Sequence, residues 1–162
     1  MNLTSRLDYR DLVTYIGYLG SSWLYVDTCV LMAQLHTKVG DFQEASVLLT
    51  KTIELSEQLG YKKGTFEAMK TFAALDFEQE NWSLALPMFK ECLRMKDMLK
   101  KGEEPLILSQ IALCYQGDKQ PLKSLKFYEL ALQLYKKQGD SEYKNEIESI
   151  EKNIGTIKQS QK

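Results

Sequence analysis

The sequence predicts an all-α chain of antiparallel helix pairs, and three observations carry that prediction. Between Thr28 and Leu55, apolar side chains recur every three and four residues on both sides of a break at Gly40-Asp41, as two helices joined by a tight turn require. The same arrangement returns twice later in the chain. Each helix also has an apolar face that one pair cannot bury, so neighbouring pairs must cover it.

The repeat is defined by small and aromatic residues at fixed positions. The reference position, where the second helix of a pair touches the first, is occupied at intervals of 40 and 39 residues by Ala45, Ala85 and Ser124. Four residues beyond it stand Leu49, Phe89 and Tyr128, and three further on stand Thr52, Cys92 and Ala131. Twelve residues before it, the first helix carries Ala33, Ala73 and Ala112. The repeat is therefore supported by position as well as by hydrophobicity.

These intervals divide one domain, residues 1–162, into five segments. They are an N-terminal helix or half repeat over 1–20, three helix pairs over 21–60, 61–102 and 103–139, and a C-terminal capping helix over 140–162. The first segment keeps leucines and an isoleucine at near-helical spacing, and Ser5 lies 40 residues before Ala45. It is either a cap or the end of a longer array, and the sequence favours neither.

Turn residues predict how the pairs are joined. Gly40 can adopt a positive φ and end the first helix, while Asp41 and Asn81 can cap the helices that follow them. Gly117-Asp118 arrives two residues earlier in its repeat than Gly40-Asp41, which predicts an irregular turn. Pro87 lies inside a second helix, where it removes one backbone hydrogen bond and is expected to cause a kink.

The pattern of alanines and aromatic residues resembles tetratricopeptide repeats. In that family a further aromatic stands where this chain has His36, Asp76 and Tyr115, and only Tyr115 keeps it. The usual spacing is about 34 residues, so the longer repeat here is similar to that of kinesin-light-chain-type adaptors and bacterial peptide-sensor regulators. The resemblance implies a right-handed α-solenoid whose first helices form a concave binding wall.

Transferred by position, that wall predicts a partner-binding groove. Its residues are Val30, Leu31, Gln34, Lys70, Thr71, Ala74, Phe77, Gln110 and Leu113. Leucine and phenylalanine would supply apolar anchors, and glutamine and lysine would supply hydrogen bonds. The alternative is that some of these residues contact the terminal helices instead.

Composition excludes several classes of function. The formal net charge of −1 gives no general attraction to nucleic acid. No apolar run suits a membrane span or a signal peptide, so we expect a cytoplasmic protein without membrane insertion.

Cys29, Cys92 and Cys114 lack metal-ligand spacing and are expected to be packing residues. With one histidine and no catalytic motif, we predict no enzyme, no cofactor and no metal.

Two interpretations of function remain. The first is an adaptor or scaffold whose groove binds a peptide or helix of a partner protein. The second is the ligand-sensing region of a bacterial regulator that binds a short signalling peptide. Self-association through the end repeats stays open, as does docking of an acidic partner on the lysine pairs near helix ends, such as Lys100-Lys101 and Lys136-Lys137.

Overall fold

The computed structural model describes residues 22–139 and 141–160 of the chain. Within them the helices are α1 (Ser22–Lys38), α2 (Phe42–Gln58), α3 (Lys62–Glu78), α4 (Trp82–Arg94), α5 (Glu103–Gly117), α6 (Pro121–Gln138) and α7 (Lys144–Ser160), with a 3₁₀ turn at Lys96–Met98. The described residues contain no strand, and the predicted all-α fold class is confirmed. The helix predicted over residues 1–20 lies outside the described part.

Contacts divide the chain into two compact units, residues 1–75 and 76–162. In the first, α1 packs on α2, and a core forms from small and branched residues of α1, α2 and α3: Val30, Ala33, Ala45, Leu49, Ala68 and Leu75. Ala33 and Ala45 are fully buried, as the repeat spacing predicted. Their small side chains let the backbones of α1 and α2 approach closely.

The second unit packs α4 on α5, α5 on α6 and α6 on α7. The predicted repeat positions Ala85, Phe89, Ala112, Ser124 and Tyr128 are all buried here. On α7, one face carries Ile147, Ile150 and Ile157, which join the core around α6. The Tyr128 hydroxyl accepts a hydrogen bond from Asn153 Nδ2 at 3.2 Å, so one polar contact also holds α7 in place.

The turns inside the three pairs share one geometry. A residue with positive φ follows each first helix: Gly40 (81°), Glu80 (59°) and Lys119 (56°). The next residue, Asp41, Asn81 or Gln120, then donates its backbone N–H to a carbonyl five residues back, at 2.8–2.9 Å. This satisfies carbonyls left free at the helix end. Glycine is therefore used at only one of the three equivalent positions.

Two predictions about the turns are wrong. Asp41 and Asn81 precede α2 and α4 but make no side-chain capping bond. The Asp41 carboxylate instead lies 3.2 Å from His36 Nδ1, and Asn81 hydrogen-bonds the side chain of Asp76. Each side chain turns back to the residue that occupies the family's aromatic position. The local helix-capping preference was therefore overridden by a contact across the turn.

The irregular turn predicted at Gly117-Asp118 is wrong as well, because Gly117 is a helical residue rather than a turn residue. It is the last residue of α5, and Lys119 takes the positive φ instead. A Cβ atom at Gly117 would overlap the indole ring of Trp82 on α4. Close packing between these helices, and not backbone freedom, explains this glycine.

Helix α4 continues through Pro87 to Arg94. Pro87 and Ser83 are both exposed, and the proline nitrogen has no hydrogen to donate to the Ser83 carbonyl four residues earlier. Water can therefore hydrate that carbonyl. The helix is 13 residues long, four fewer than α2.

Candidate functional site

Helix α1 is apolar on two sides, and only one of them is buried. Val26, Cys29, Val30 and Ala33 face the core of the first unit. On the other side Leu31 is 60% exposed, Leu35 is 57% exposed, and Val39, just after the helix, is 76% exposed. Scattered exposed leucines are ordinary, but side chains four residues apart on one helix form a stripe, and Val39 follows at the same interval just beyond the end of α1. This stripe, Leu31, Leu35 and Val39, is the apolar surface that a partner could cover.

Polar side chains connect this part of α1 to α3. Gln34 Nε2 donates to Thr71 Oγ1 at 3.3 Å, and the Thr71 hydroxyl donates to the Glu67 carbonyl at 2.8 Å. Lys70 forms an ion pair with the Glu67 carboxylate at 2.8 Å, and its ammonium lies 4.9 Å from the centre of the Phe66 ring. Two helices and their polar groups are thus held in a fixed relation beside the stripe.

The predicted groove residues of the first unit occupy different environments. Val30 is buried in the core, whereas Leu31 is exposed and Ala74 is half-buried on α3. Thr71 is largely buried and Gln34 and Lys70 are half-buried. Leu35 and Val39 were missed by the sequence reasoning. The missed signal was the apolar residues on a second side of α1, which are more than one buried face requires.

The remaining predicted residues belong to the second unit. Phe77 is half-buried, and its ring packs edge-on against Trp82 and Phe89, at centroid distances of 5.2 and 6.2 Å. Leu113 packs against the core around α6, and Gln110 is half-buried one turn earlier on α5. Phe77 therefore has a packing role in addition to any role in binding.

The aromatic position of the repeat is occupied by three chemically different side chains, those of His36, Asp76 and Tyr115. His36 pairs with Asp41 near the surface. Asp76 is only 5% exposed, and burial raises the pKa of its carboxyl above the usual value, while the hydrogen bond from Asn81 lowers it in part. Tyr115 stacks on Phe127 at 5.4 Å. The same backbone position thus accommodates an imidazole, a carboxyl and a phenol.

The three cysteines are buried, and none forms a disulfide within the part of the chain that the structure describes. Burial raises the pKa of Cys29, and burial together with Asp118 raises the pKa of Cys114 to about 11. Such thiols stay protonated at neutral pH and are poor nucleophiles. Among residues 22–139 and 141–160, no three His, Cys, Asp or Glu side chains converge in a metal-binding group. No helix in that part of the chain is long and apolar enough to cross a membrane.

Comparison with known proteins identifies the repeat. Residues 26–98 match the family model described as tetratricopeptide repeat. Residues 26–98 carry tetratricopeptide repeats. The matched region runs from α1 through α4, and it contains the reference positions Ala45 and Ala85. Tetratricopeptide repeats generally serve as non-enzymatic modules for protein–protein interaction.

A solved structure supports the fold over a longer stretch. The chain is similar to one described as the MamA RS-1 ArsTM double mutant, with a TM-score of 0.54, 15% sequence identity and coverage of 94% of each chain. At that identity the likeness concerns the fold alone. No match was found among curated proteins.

Proposed function

We propose that this chain is an interaction module whose first unit binds a peptide or helix of a partner protein across α1 and α3. The observation that carries the proposal is the exposed stripe on α1. Leu31 and Leu35 lie on one side of α1, whose opposite side is already buried, and the exposed Val39 follows just after the helix. Apolar anchors at this spacing suit an amphipathic segment that buries its own apolar face against them.

The polar contacts beside the stripe supply orientation. Thr71 and Gln34 already bond to each other, and Lys70 lies along α3 next to its Glu67 partner. A partner backbone placed here meets amide and ammonium donors in fixed positions. This surface supports the proposed role of adaptor or scaffold, because binding a segment of another protein requires no chemistry from the chain itself.

Affinity purification with matched variants tests the proposal. The test variant is Leu31→Glu with Leu35→Glu, and the control is Leu84→Glu with Leu122→Glu, which places two charges at exposed leucines of α4 and α6. Circular dichroism first establishes that both variants keep the helical fold. We expect wild type and control to capture the same protein from a lysate of the native cells, and the α1 variant to lose it.

Capture of that protein by all three chains would contradict the α1 surface. A captured protein should then be divided into overlapping peptides and each titrated against wild type by fluorescence anisotropy. We expect one amphipathic segment to account for the binding. Binding that needs the whole folded partner and no single segment would refute the peptide-or-helix mode.

A further inference from the structure

A second polar cluster lies in the other unit, around the ring of Tyr115. The Lys90 ammonium, from α4, donates to the Tyr115 hydroxyl at 2.8 Å and lies 5.2 Å from the centre of the ring. The Lys123 ammonium, from the first turn of α6, lies 5.5 Å from the same centre. Three helices therefore bring two positive charges to one aromatic side chain.

The Tyr115 hydroxyl in this cluster retains a hydrogen to donate. It accepts a bond from Lys90, and within the described chain no acceptor receives its own hydrogen. The side chain is only 7% exposed and its ring is stacked on Phe127, so its direction is fixed by packing. The cluster thus presents hydrogen-bond donors only: two ammonium groups and one phenol.

These two lysines differ from others in the same unit. Lys101 is paired with Glu142 at 2.6 Å, Lys136 with Glu151 at 2.7 Å, and Lys158 with Glu129 at 3.2 Å. By contrast, no carboxylate of residues 22–139 or 141–160 lies within ion-pair distance of Lys90 or Lys123. Lys101 and Lys136, from the lysine pairs near helix ends, are thus already paired with carboxylates. Lys90 and Lys123 have no such partner among the described residues.

We propose that Lys90, Lys123 and Tyr115 form a docking site for a carboxylate side chain of an acidic peptide segment. Charge complementarity carries this choice, because a donor-only cluster matches an acceptor-only group. The small number of charges argues against a nucleic acid, which needs several phosphate contacts, and the net charge of −1 gives no wider attraction to a polyanion. This site lies on α4, α5 and α6, so it stands independently of the α1 surface.

Fluorescence anisotropy with a fluorescein-labelled octaglutamate peptide tests the site, with octaglutamine as the uncharged comparison. We expect wild type to bind octaglutamate more tightly than octaglutamine. The variant Lys90→Gln with Lys123→Gln should bind octaglutamate about tenfold more weakly. The matched control, Lys126→Gln with Lys137→Gln, removes the same net charge from exposed lysines of α6 and should bind like wild type.

Tyr115→Phe keeps the ring and removes only the hydroxyl, so we expect it to weaken octaglutamate binding about threefold. If the Lys90 variant loses helicity, Lys123→Gln alone carries the test, because Lys123 is exposed. Equal loss in the two double variants would show general charge attraction and overturn the site. Absence of octaglutamate binding to wild type, or its displacement by an equal concentration of octathymidylate, would overturn it as well.

Discussion

Two glycines in helices should respond in opposite ways to the same substitution. Gly155 lies inside α7, and a Cβ atom there would meet nothing within 4 Å. Gly117 ends α5, and a Cβ atom there would overlap the Trp82 indole. An added methyl group is thus free at one site and obstructed at the other.

The expected magnitudes follow from helix propensity and packing. Gly155→Ala should raise the free energy of unfolding by about 0.5–1 kcal/mol, because alanine loses less backbone entropy than glycine in a helix. Gly117→Ala should lower it by about 1–3 kcal/mol, because the indole or the α5 backbone must move to admit the methyl group. The two variants therefore differ in sign.

Urea unfolding followed by circular dichroism at 222 nm measures both free energies against wild type. The variant Gly117→Ala with Trp82→Ala serves as the control, since removal of the indole should remove the additional cost of the methyl group. A Gly117→Ala protein as stable as Gly155→Ala would refute the close packing of Trp82 on α5.

Three further predictions concern buried groups. Burial raises the pKa of Tyr128 from 10.0 to about 12, so the unfolded chain releases this proton at a lower pH than the folded chain, and stability should fall as pH rises from about 10 to about 12. In urea unfolding at pH 9 and pH 12, the free energy of unfolding of Tyr128→Phe should fall by roughly 2 kcal/mol less than that of wild type. Equal falls in the two proteins would contradict this prediction. Burial raises the pKa of the Asp76 carboxyl, because the charged form is unfavourable away from water. Asp76→Asn should therefore raise the melting temperature at pH 7, and this gain should disappear at pH 3, where the carboxyl is protonated. An unchanged or lower melting temperature of the variant at pH 7 would refute this prediction. Ile150→Ala should lower the free energy of unfolding, measured in urea, by about 2–5 kcal/mol, because the side chain is buried in the core around α6. Ser149→Ala, at an exposed position of the same helix, should change that free energy by less than about 0.5 kcal/mol. Similar values for the two variants would show that α7 is not packed.

The sequence predicted the features that depend on periodic spacing. The small residues at the reference position and twelve residues earlier are all buried, because close helix contacts leave room for little else. The all-α class follows from the same spacing. These features can be predicted from the sequence because each recurs in all three repeats.

What the sequence did not predict depends on contacts between distant residues. Asp41 and Asn81 had the right identity for helix caps, yet their side chains bond to His36 and Asp76 across the turn. Gly117 was interpreted as a turn residue because its contact with Trp82 lies 35 positions away in the sequence. Competing local preferences and tertiary packing decide such cases.

The partner-binding groove stays a prediction. Among its residues on α1, Leu31 is exposed, Gln34 is half-buried and Val30 is buried, and the exposure of Leu35 was not anticipated. Neighbouring residues of a helix point in directions about 100° apart, so a core position and a surface position can adjoin in the sequence, as Val30 and Leu31 do. An apolar residue next to a core residue is therefore hard to assign to the core or to the surface from one sequence.

Photocrosslinking tests the proposed α1 surface most directly. Benzoylphenylalanine is introduced at residue 31 in one protein and at residue 122 in another, since both leucines are exposed and only the first lies on α1. After irradiation in a lysate of the native cells, we expect residue 31 to yield one dominant crosslinked protein that residue 122 does not. The absence of a crosslink at residue 31, or the same products from both positions, would contradict partner binding at α1.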